Sequence, residues 1–500
     1  MKRRLKFAFI IILLVKISML QAQKKPNIIV FMVDDMGWQD TSYPFDSALS
    51  AYNKIYSTPN MQKLAKMGVA FTNAYSTPVC TPSRVSLLTG MNVLQHQVTN
   101  WTSPFKDAPT GQKDKQFAEP KWNHNGLSPV PGIPHTAYAT PISQILKDNG
   151  YFTIHAGKAH WASSGTPGSN PYSLGFIVNI AGTSTGRPAS FLGKENFGRN
   201  TADYHGVENM QEYFGKDIYL TEALTLEALK ALDYPVKNKL PFFLNLGHYA
   251  LHDPLMADNR YYEKYLAQGL SKNEAKYASM IEGMDKSLGD ILAYLEKHAI
   301  IDNTHIIFIS DNGGLSLTPP RDGEPHTHNA PLRSGKGSIY EGGIRVPLII
   351  KGTKGNVKGK RIDTPVIIED IFPTILDMSK VRYSALPQKI DGRSVMGYLD
   401  GKTKNDTDSR PLFFHTPNKW TQNDGDGFNY KSAVRKGFFK LIYNWRQDSY
   451  ELYHLIDDIG EKNNLIAVKE VQSIATELKE ILHTRIKSSS SPVPSKTVEK

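Results

Sequence analysis

Five hundred residues, 40% hydrophobic and 21% charged, exceed what one compact core holds and predict a large globular domain with a smaller one attached. The net charge of +11 suits an anionic substrate, but Lys2, Arg3, Arg4, Lys6 and Lys16 supply part of it and the other cations are scattered. That pattern excludes a clustered nucleic-acid-binding stripe, and the single cysteine, Cys80, excludes an intrachain disulfide.

The chain opens with basic Met1–Arg4, an apolar run from Phe7 to Val15 that Lys16 interrupts, and Ala22 at a cleavage position. This predicts a signal peptide over 1–22 and an exported protein, periplasmic or secreted, with no stable membrane insertion after cleavage. Ile28–Val33 is a continuous apolar run, as expected of a strand buried on both faces, and it ends in Asp34-Asp35. Two adjacent carboxylates at the tip of a central strand are costly unless a cation sits between them. Thr58-Pro59 starts a helix to Met67, and Val69–Phe71 starts a strand that delivers Cys80. Pro82-Ser83-Arg84 then opens a short helix stopped by Gly90, so Cys80 stands at a helix N-terminus, where unpaired N–H groups and Arg84 favour an anion.

Residues 99–140, rich in Pro and Gly, read as a long loop over a pocket. A helix over Pro141–Asn149 and a strand over Tyr151–Ile154 lead to Gly157-Lys158-Ala159-His160, where an extended segment puts Lys158 and His160 on one side. A helix over Asp217–Leu232 precedes the strand Pro241–Leu246 and two histidines, His248 and His252. Ser271 with Glu274 is a capping box for an amphipathic helix whose stripe runs from Ile281 to Leu295. The strand Thr304–Ile309 ends in Asp311-Asn312-Gly313, repeating the geometry of Asp34-Asp35. Four oxygen-bearing side chains from two strand tips can then converge on one hard cation, with calcium fitting better than zinc. Arg333 and Lys336 follow in a glycine-rich block, then a strand over Pro347–Ile350 and a helix over Ile367–Met378. Beyond a composition change at Pro387, strands over Phe438–Tyr443 and Glu451–Leu455 and a helix over Val468–Ile486 indicate a small terminal unit. The expected division is 23–385, 386–488 and a disordered tail over 489–500.

Cys80-x-Pro82-x-Arg84 followed by Ser86-Leu87-Leu88-Thr89-Gly90 resembles the formylglycine signature of type I sulfatases in the alkaline-phosphatase-like superfamily. The resemblance extends through Asp34-Asp35-Met36-Gly37, Gly157-Lys158-Ala159-His160, His252-Asp253-Pro254, Asp311-Asn312-Gly313 and Gly335-Lys336-Gly337 with Tyr340-Glu341-Gly342-Gly343. It implies an α/β fold: a large domain with a central mixed, mostly parallel sheet sandwiched by helices, and a small α+β subdomain of four antiparallel strands and one helix. It further implies that a maturation enzyme oxidises Cys80 to 3-oxoalanine (formylglycine), whose hydrate is the nucleophile. One Ca2+ is then held by Asp34, Asp35, Asp311, Asn312 and the modified residue 80. Arg84 holds the nucleophile, Lys158 and Lys336 bind the sulfate, His160 deprotonates the diol, and His252 protonates the leaving oxygen, with His248 as its rival. The substrate expected is a sulfated glycan, with His248, Arg187, Arg199, His205 and Arg333 as candidate sugar contacts. A phosphate or phosphonate ester hydrolase and a catalytically dead sulfoglycan-binding protein are the alternatives; paired sulfate and phosphate ester assays, and the mass of the peptide carrying residue 80, separate them.

Overall fold

The computed structural model describes residues 25–199, 201–316, 329–404, 410–422 and 424–497; the expected signal peptide lies outside them. Continuous apolar runs produce the strands at the centre. These are β1 (Asn27–Val33), β2 (Val69–Tyr75), β3 (Phe152–Gly157), β4 (Val178–Ile180), β5 (Phe242–Gly247), β6 (Thr304–Ser310), β7 (Arg345–Lys351), β8 (Lys360–Ile362) and β9 (Val366–Ile367). They form one nine-stranded sheet in the order β8-β2-β7-β6-β1-β5-β3-β4, with β9 also pairing β2. Neighbours from β6 through β1, β5 and β3 to β4 run parallel. Only β7 runs against its partners β6 and β2. The sheet is therefore mixed and mostly parallel.

Alternate residues of β1 serve opposite faces, as the period of two requires. Ile29, Phe31 and Val33 pack into one core with Leu224, Met284 and Leu288. These come from the helices α4 (Leu220–Lys237) and α5 (Lys272–Lys297). Ile28, Val30 and Met32 pack into a second core with Leu88, Leu146 and Phe372. Those belong to α2 (Cys80–Thr89), α3 (Ile142–Asp148) and α6 (Ile371–Ser379); α1 (Pro59–Met67) joins the first face. The cap of α5 is as expected on one side: Ser271 Oγ accepts the Glu274 N–H at 3.3 Å.

The strands β10 (Leu412–Thr416), β11 (Lys431–Lys436), β12 (Phe439–Asn444) and β13 (Ser449–His454) form an antiparallel sheet in sequence order. Its Val434, Leu441 and Leu452 pack on α7 (Gln472–Ser489), while Ala433, Ile442 and Phe414 face Tyr75, Ile339 and Ile344 of the large domain. Charge joins the two units as well. Lys440 is fully buried and contacts Glu341 Oε1 at 3.1 Å and Glu461 Oε1 at 2.8 Å. Two boundaries differ from expectation. Val395 and Leu399 belong to the core of the large domain, so its packing continues past residue 386. The stretch expected to be a disordered tail is ordered through residue 497: Ser495–Lys496 pairs antiparallel with Phe117–Ala118, and the Pro492 carbonyl accepts from His415. A short backbone ladder and one buried histidine fix a segment whose composition alone signals disorder.

Candidate functional site

Because β1, β3, β5 and β6 are parallel, their C-terminal tips lie along one edge of the sheet, where ligands of open α/β sheets gather. Asp34 and Asp35 follow β1, Lys158 and His160 follow β3, His252 follows β5, and Asp311 and Asn312 follow β6. The tips are stitched together by the Asp34 N–H to Ala250 O bond (2.9 Å) and the Asp311 N–H to Val33 O bond (3.1 Å). Asp35 and His160 both hold left-handed backbone, with φ of 57° and 48°. Non-glycine residues in that region are strained and persist only where their surroundings fix them.

The side chains form one buried network. Asp35 N–H donates to Asp311 Oδ1 at 3.3 Å, and Asn312 Nδ2 donates to Asp35 Oδ1 at 2.8 Å. Arg84 reaches Asp311 Oδ2 through Nε and Nη2, each at 2.8 Å, and donates to the Lys158 carbonyl at 2.8 Å. Lys158 Nζ lies 2.5 Å from Asp34 Oδ2, and Lys336 Nζ lies 2.7 and 2.9 Å from the two Asp35 oxygens. Ligating atoms of Asp34, Asp35 and His252 lie within 4.8 Å of one another. Asp34 Oδ1 and Asn312 Oδ1 are buried with no hydrogen-bond partner. Burial, then the neighbouring Asp311, pushes the Asp34 carboxyl well above the usual carboxylate range. Asp311 is held low against burial by Arg84 and Lys158, and Arg84 is lifted against burial by Asp311 and Asp34. Such orphaned oxygens among three buried carboxylates fit a hard divalent cation.

Cys80 is the first residue of α2, which Gly90 closes in the left-handed conformation as expected. Its Sγ lies 3.3 Å from His160 Nδ1, while His160 Nε2 donates to the Thr102 carbonyl at 2.9 Å. Burial and the Lys158 charge push His160 well below the ordinary imidazole value. Neutral, with its hydrogen on Nε2, the ring turns a lone pair toward residue 80. Lys158 and His160 therefore reach the site from beyond the strand, by a backbone reversal rather than by strand alternation.

Cys80, His160, His252 and Lys336 line a cavity of ≈360 Å³. A match to the "Sulfatase" family model spans residues 26–381. The chain belongs to the sulfatase family. It is a sulfuric ester hydrolase, and residues 335–488 match a second model, "N-sulphoglucosamine sulphohydrolase, C-terminal". This sulfatase is 27% identical to a "Sulfatase" of Formosa agariphila, covering 89% of this chain and 85% of that one. It is also 27% identical to the N-acetylgalactosamine-6-sulfatase of Canis lupus familiaris, covering 92% and 80%. Among solved structures, Ps i-CgsB in complex with k-i-k-neocarrahexaose superposes with a TM-score of 0.69 at 28% identity, covering 92% of this chain and 93% of the other.

Not every candidate converges. His248 points into the core of this sulfatase, its Nε2 2.9 Å from Ser287 Oγ and its ring 5.0 Å from Phe31, and does not line the cavity. Arg333 stacks 3.9 Å over Tyr340 and donates to the Glu461 carbonyl, and Arg199 pairs with Glu208; neither lines the cavity. Arg187 and His205 do line it, both held by Asp203. Trp101, Tyr204 and Trp420 also line it and were not singled out from the sequence. Trp420 comes from the small unit and packs on Gly337 (φ 88°), where an added Cβ would lie 2.2 Å from the ring. The only sequence signal for these aromatics was their place in irregular polar segments.

Proposed function

We propose that this sulfatase removes sulfate from a sulfated carbohydrate, using residue 80 as the formylglycine made from Cys80, with one Ca2+ held by Asp34, Asp35, Asp311 and Asn312. The observation that carries the reading is the pair of unpartnered buried oxygens, Asp34 Oδ1 and Asn312 Oδ1, in the network that Arg84 ties to the helix of Cys80. The cation, when bound, supplies positive charge to polarise the sulfuryl oxygens and to lower the pKa of the nucleophile. Formylglycine supplies, as its hydrate, a nucleophilic oxygen and a second hydroxyl through which sulfate is later expelled.

The protein groups supply the rest. A divalent ion shared by Asp34 and Asp35 would replace the charge that Lys158 and Lys336 give those carboxylates, so both ammonium groups become available to the sulfate. Arg84, fixed between Asp311 and the Lys158 carbonyl, holds its charge within one helical turn of residue 80. His160 accepts a proton at Nδ1, the atom turned toward residue 80. Burial and the Lys336 ammonium hold His252 down to about 3; an anionic ester at Lys336 would weaken the second of these effects, and His252, in the cavity wall, is the ring placed to give the leaving alkoxide its proton. The carbohydrate part rests on the saccharide names of the N-acetylgalactosamine-6-sulfatase and the Ps i-CgsB complex and on a cavity walled by Trp101, Trp420 and Tyr204.

The test is sulfate release from N-acetylgalactosamine 6-sulfate, galactose 4-sulfate, glucosamine 6-sulfate and neocarra-oligosaccharides, with metal content and the mass of the peptide carrying residue 80 measured on the same preparation. Faster turnover of matched phosphate esters, or an unmodified thiol in fully active protein, would overturn the reading.

A further inference from the structure

A second cavity, ≈470 Å³, adjoins the first and shares Pro104 and Tyr204 with it. Between them stands an aromatic ridge: the rings of Phe105 and Tyr204 meet with centroids 4.9 Å apart. Phe105, Tyr204 and, farther along, Tyr172 are 55%, 58% and 53% exposed, although all three line the cleft. Three large aromatic faces left in water beside a concave site mark a binding surface rather than core packing.

The rest of the lining is neutral and hydrogen-bonding, including Asn170, Ser184, Thr185 and Asn209. Among the described residues it holds no Lys, Arg or His, and its one charged residue is Glu208. Glu208 is paired with Arg199 at 3.3 Å, so the cleft carries no net charge and its own lining offers an anion no cation. The first cavity differs, with Arg187, His205 and Lys336 in its wall.

We propose that the second cavity is a subsite for an uncharged sugar adjoining the sulfated one, so that the enzyme reads a chain across the Phe105–Tyr204 ridge and rejects a sulfate on that neighbour. The inference rests on the carbohydrate reading above and adds the class of the flanking unit. Aromatic faces take the apolar C–H face of a pyranose while the amides and hydroxyls take its hydroxyls.

The test compares N-acetylgalactosamine 6-sulfate, galactose 4-sulfate and glucosamine 6-sulfate, each free and within a tetrasaccharide whose other units are unsulfated. For the pair that is turned over, the tetrasaccharide is expected to show at least ~10-fold higher kcat/KM. A further sulfate on the adjoining unit should cancel the gain, and Tyr172→Ala or Phe105→Ala should lower kcat/KM on the tetrasaccharide at least ~5-fold more than on the monosaccharide. Equal kcat/KM for the free and embedded sugar, or no penalty from the added sulfate, overturns the proposal. If no pair is turned over, the carbohydrate reading is what fails, and saturation-transfer NMR with the same tetrasaccharides decides the cleft separately. Contacts from the unsulfated units that Tyr172→Ala removes sustain it; their absence overturns it.

Discussion

Replacing Lys440 with methionine removes a buried cation that joins the two units while keeping an unbranched side chain one atom shorter. In the native protein Lys440 faces Glu341 at 3.1 Å and Glu461 at 2.8 Å, with all three side chains fully buried. At an effective dielectric of ~20, each contact is worth about 5–6 kcal/mol of gross attraction, most of it cancelled by desolvation. Removing one partner of a buried pair leaves that desolvation uncompensated, which costs about 3–5 kcal/mol in unfolding free energy while both carboxylates stay ionised. The loss should depend on pH with a definite sign. Burial already lifts Glu461 to about 7, against the pull of Lys440 and above its ordinary 4.5. Without Lys440 the folded pKa rises further, so the folded state holds a proton that the unfolded state releases, and stability falls as pH rises from about 4.5 upward. Glu341 retains Arg345 and Tyr75 as partners, so Glu461 is the group that takes the proton. The assay is urea denaturation of both proteins from pH 5 to 8. The deficit should be smallest at pH 5 and grow by up to about 1.4 kcal/mol per pH unit above pH 7, where the native Glu461 ionises and the variant's does not, and Glu461→Gln added to Lys440→Met should recover part of it. A variant as stable as the native protein at pH 8, or a double variant no better than the single one, would refute the reasoning.

Three further expectations follow from the same geometry. Glu369 is buried with Oε2 unpartnered and its carboxyl lifted by burial and Asp370 to about 8, so its contribution declines between pH 4.5 and 8; Glu369→Gln should flatten that decline, seen as a higher melting temperature at pH 8 and little change at pH 5. Asn312→Ala should lower divalent-ion affinity and cost more than ~10²-fold in kcat, and chelation should lower both activity and melting temperature of the native enzyme only; metal content and activity identical to the native protein would refute the cation site. Gly337→Ala puts a Cβ 2.2 Å from the Trp420 ring at a φ of 88°, so it should cost about 1–2 kcal/mol and raise KM severalfold as Trp420 moves; an unchanged KM would separate Trp420 from substrate binding.

What the sequence made legible follows from what repeats along it. Apolar runs such as Ile28–Val33 announce strands buried on both faces, and in parallel strands the residues just after each run must share one edge. The runs alone place Asp34, Asp35, Asp311 and Asn312 together, while Lys158 and His160 join them through the resemblance of Gly157-Lys158-Ala159-His160 to the sulfatase element. The two histidines after β5 were not separable in that way. His248 and His252 follow the same strand, and only tertiary packing sends one against Phe31 and Ser287 while the other meets Asp35. Lys158 and His160 converge for a reason other than strand alternation, because His160 reverses its backbone. The aromatic walls were illegible for a related cause: Trp101, Tyr204 and Trp420 come from segments with no period, and three distant loops meet only through the fold.

The ladder between Ser495–Lys496 and Phe117–Ala118 bears on how the enzyme is made. It anchors a segment whose Thr110 holds the Trp101 carbonyl and whose Gln112 is bonded to Lys419, the neighbour of Trp420. On the ribosome, the nascent chain holds every residue of its ionic network once Lys336 has emerged, whereas the bonds that fix the segment beside Trp101 and Trp420 wait for Ser495 and Lys496 far downstream. Losing Ser495 and Lys496 would therefore spare the ionic network and loosen the cavity wall.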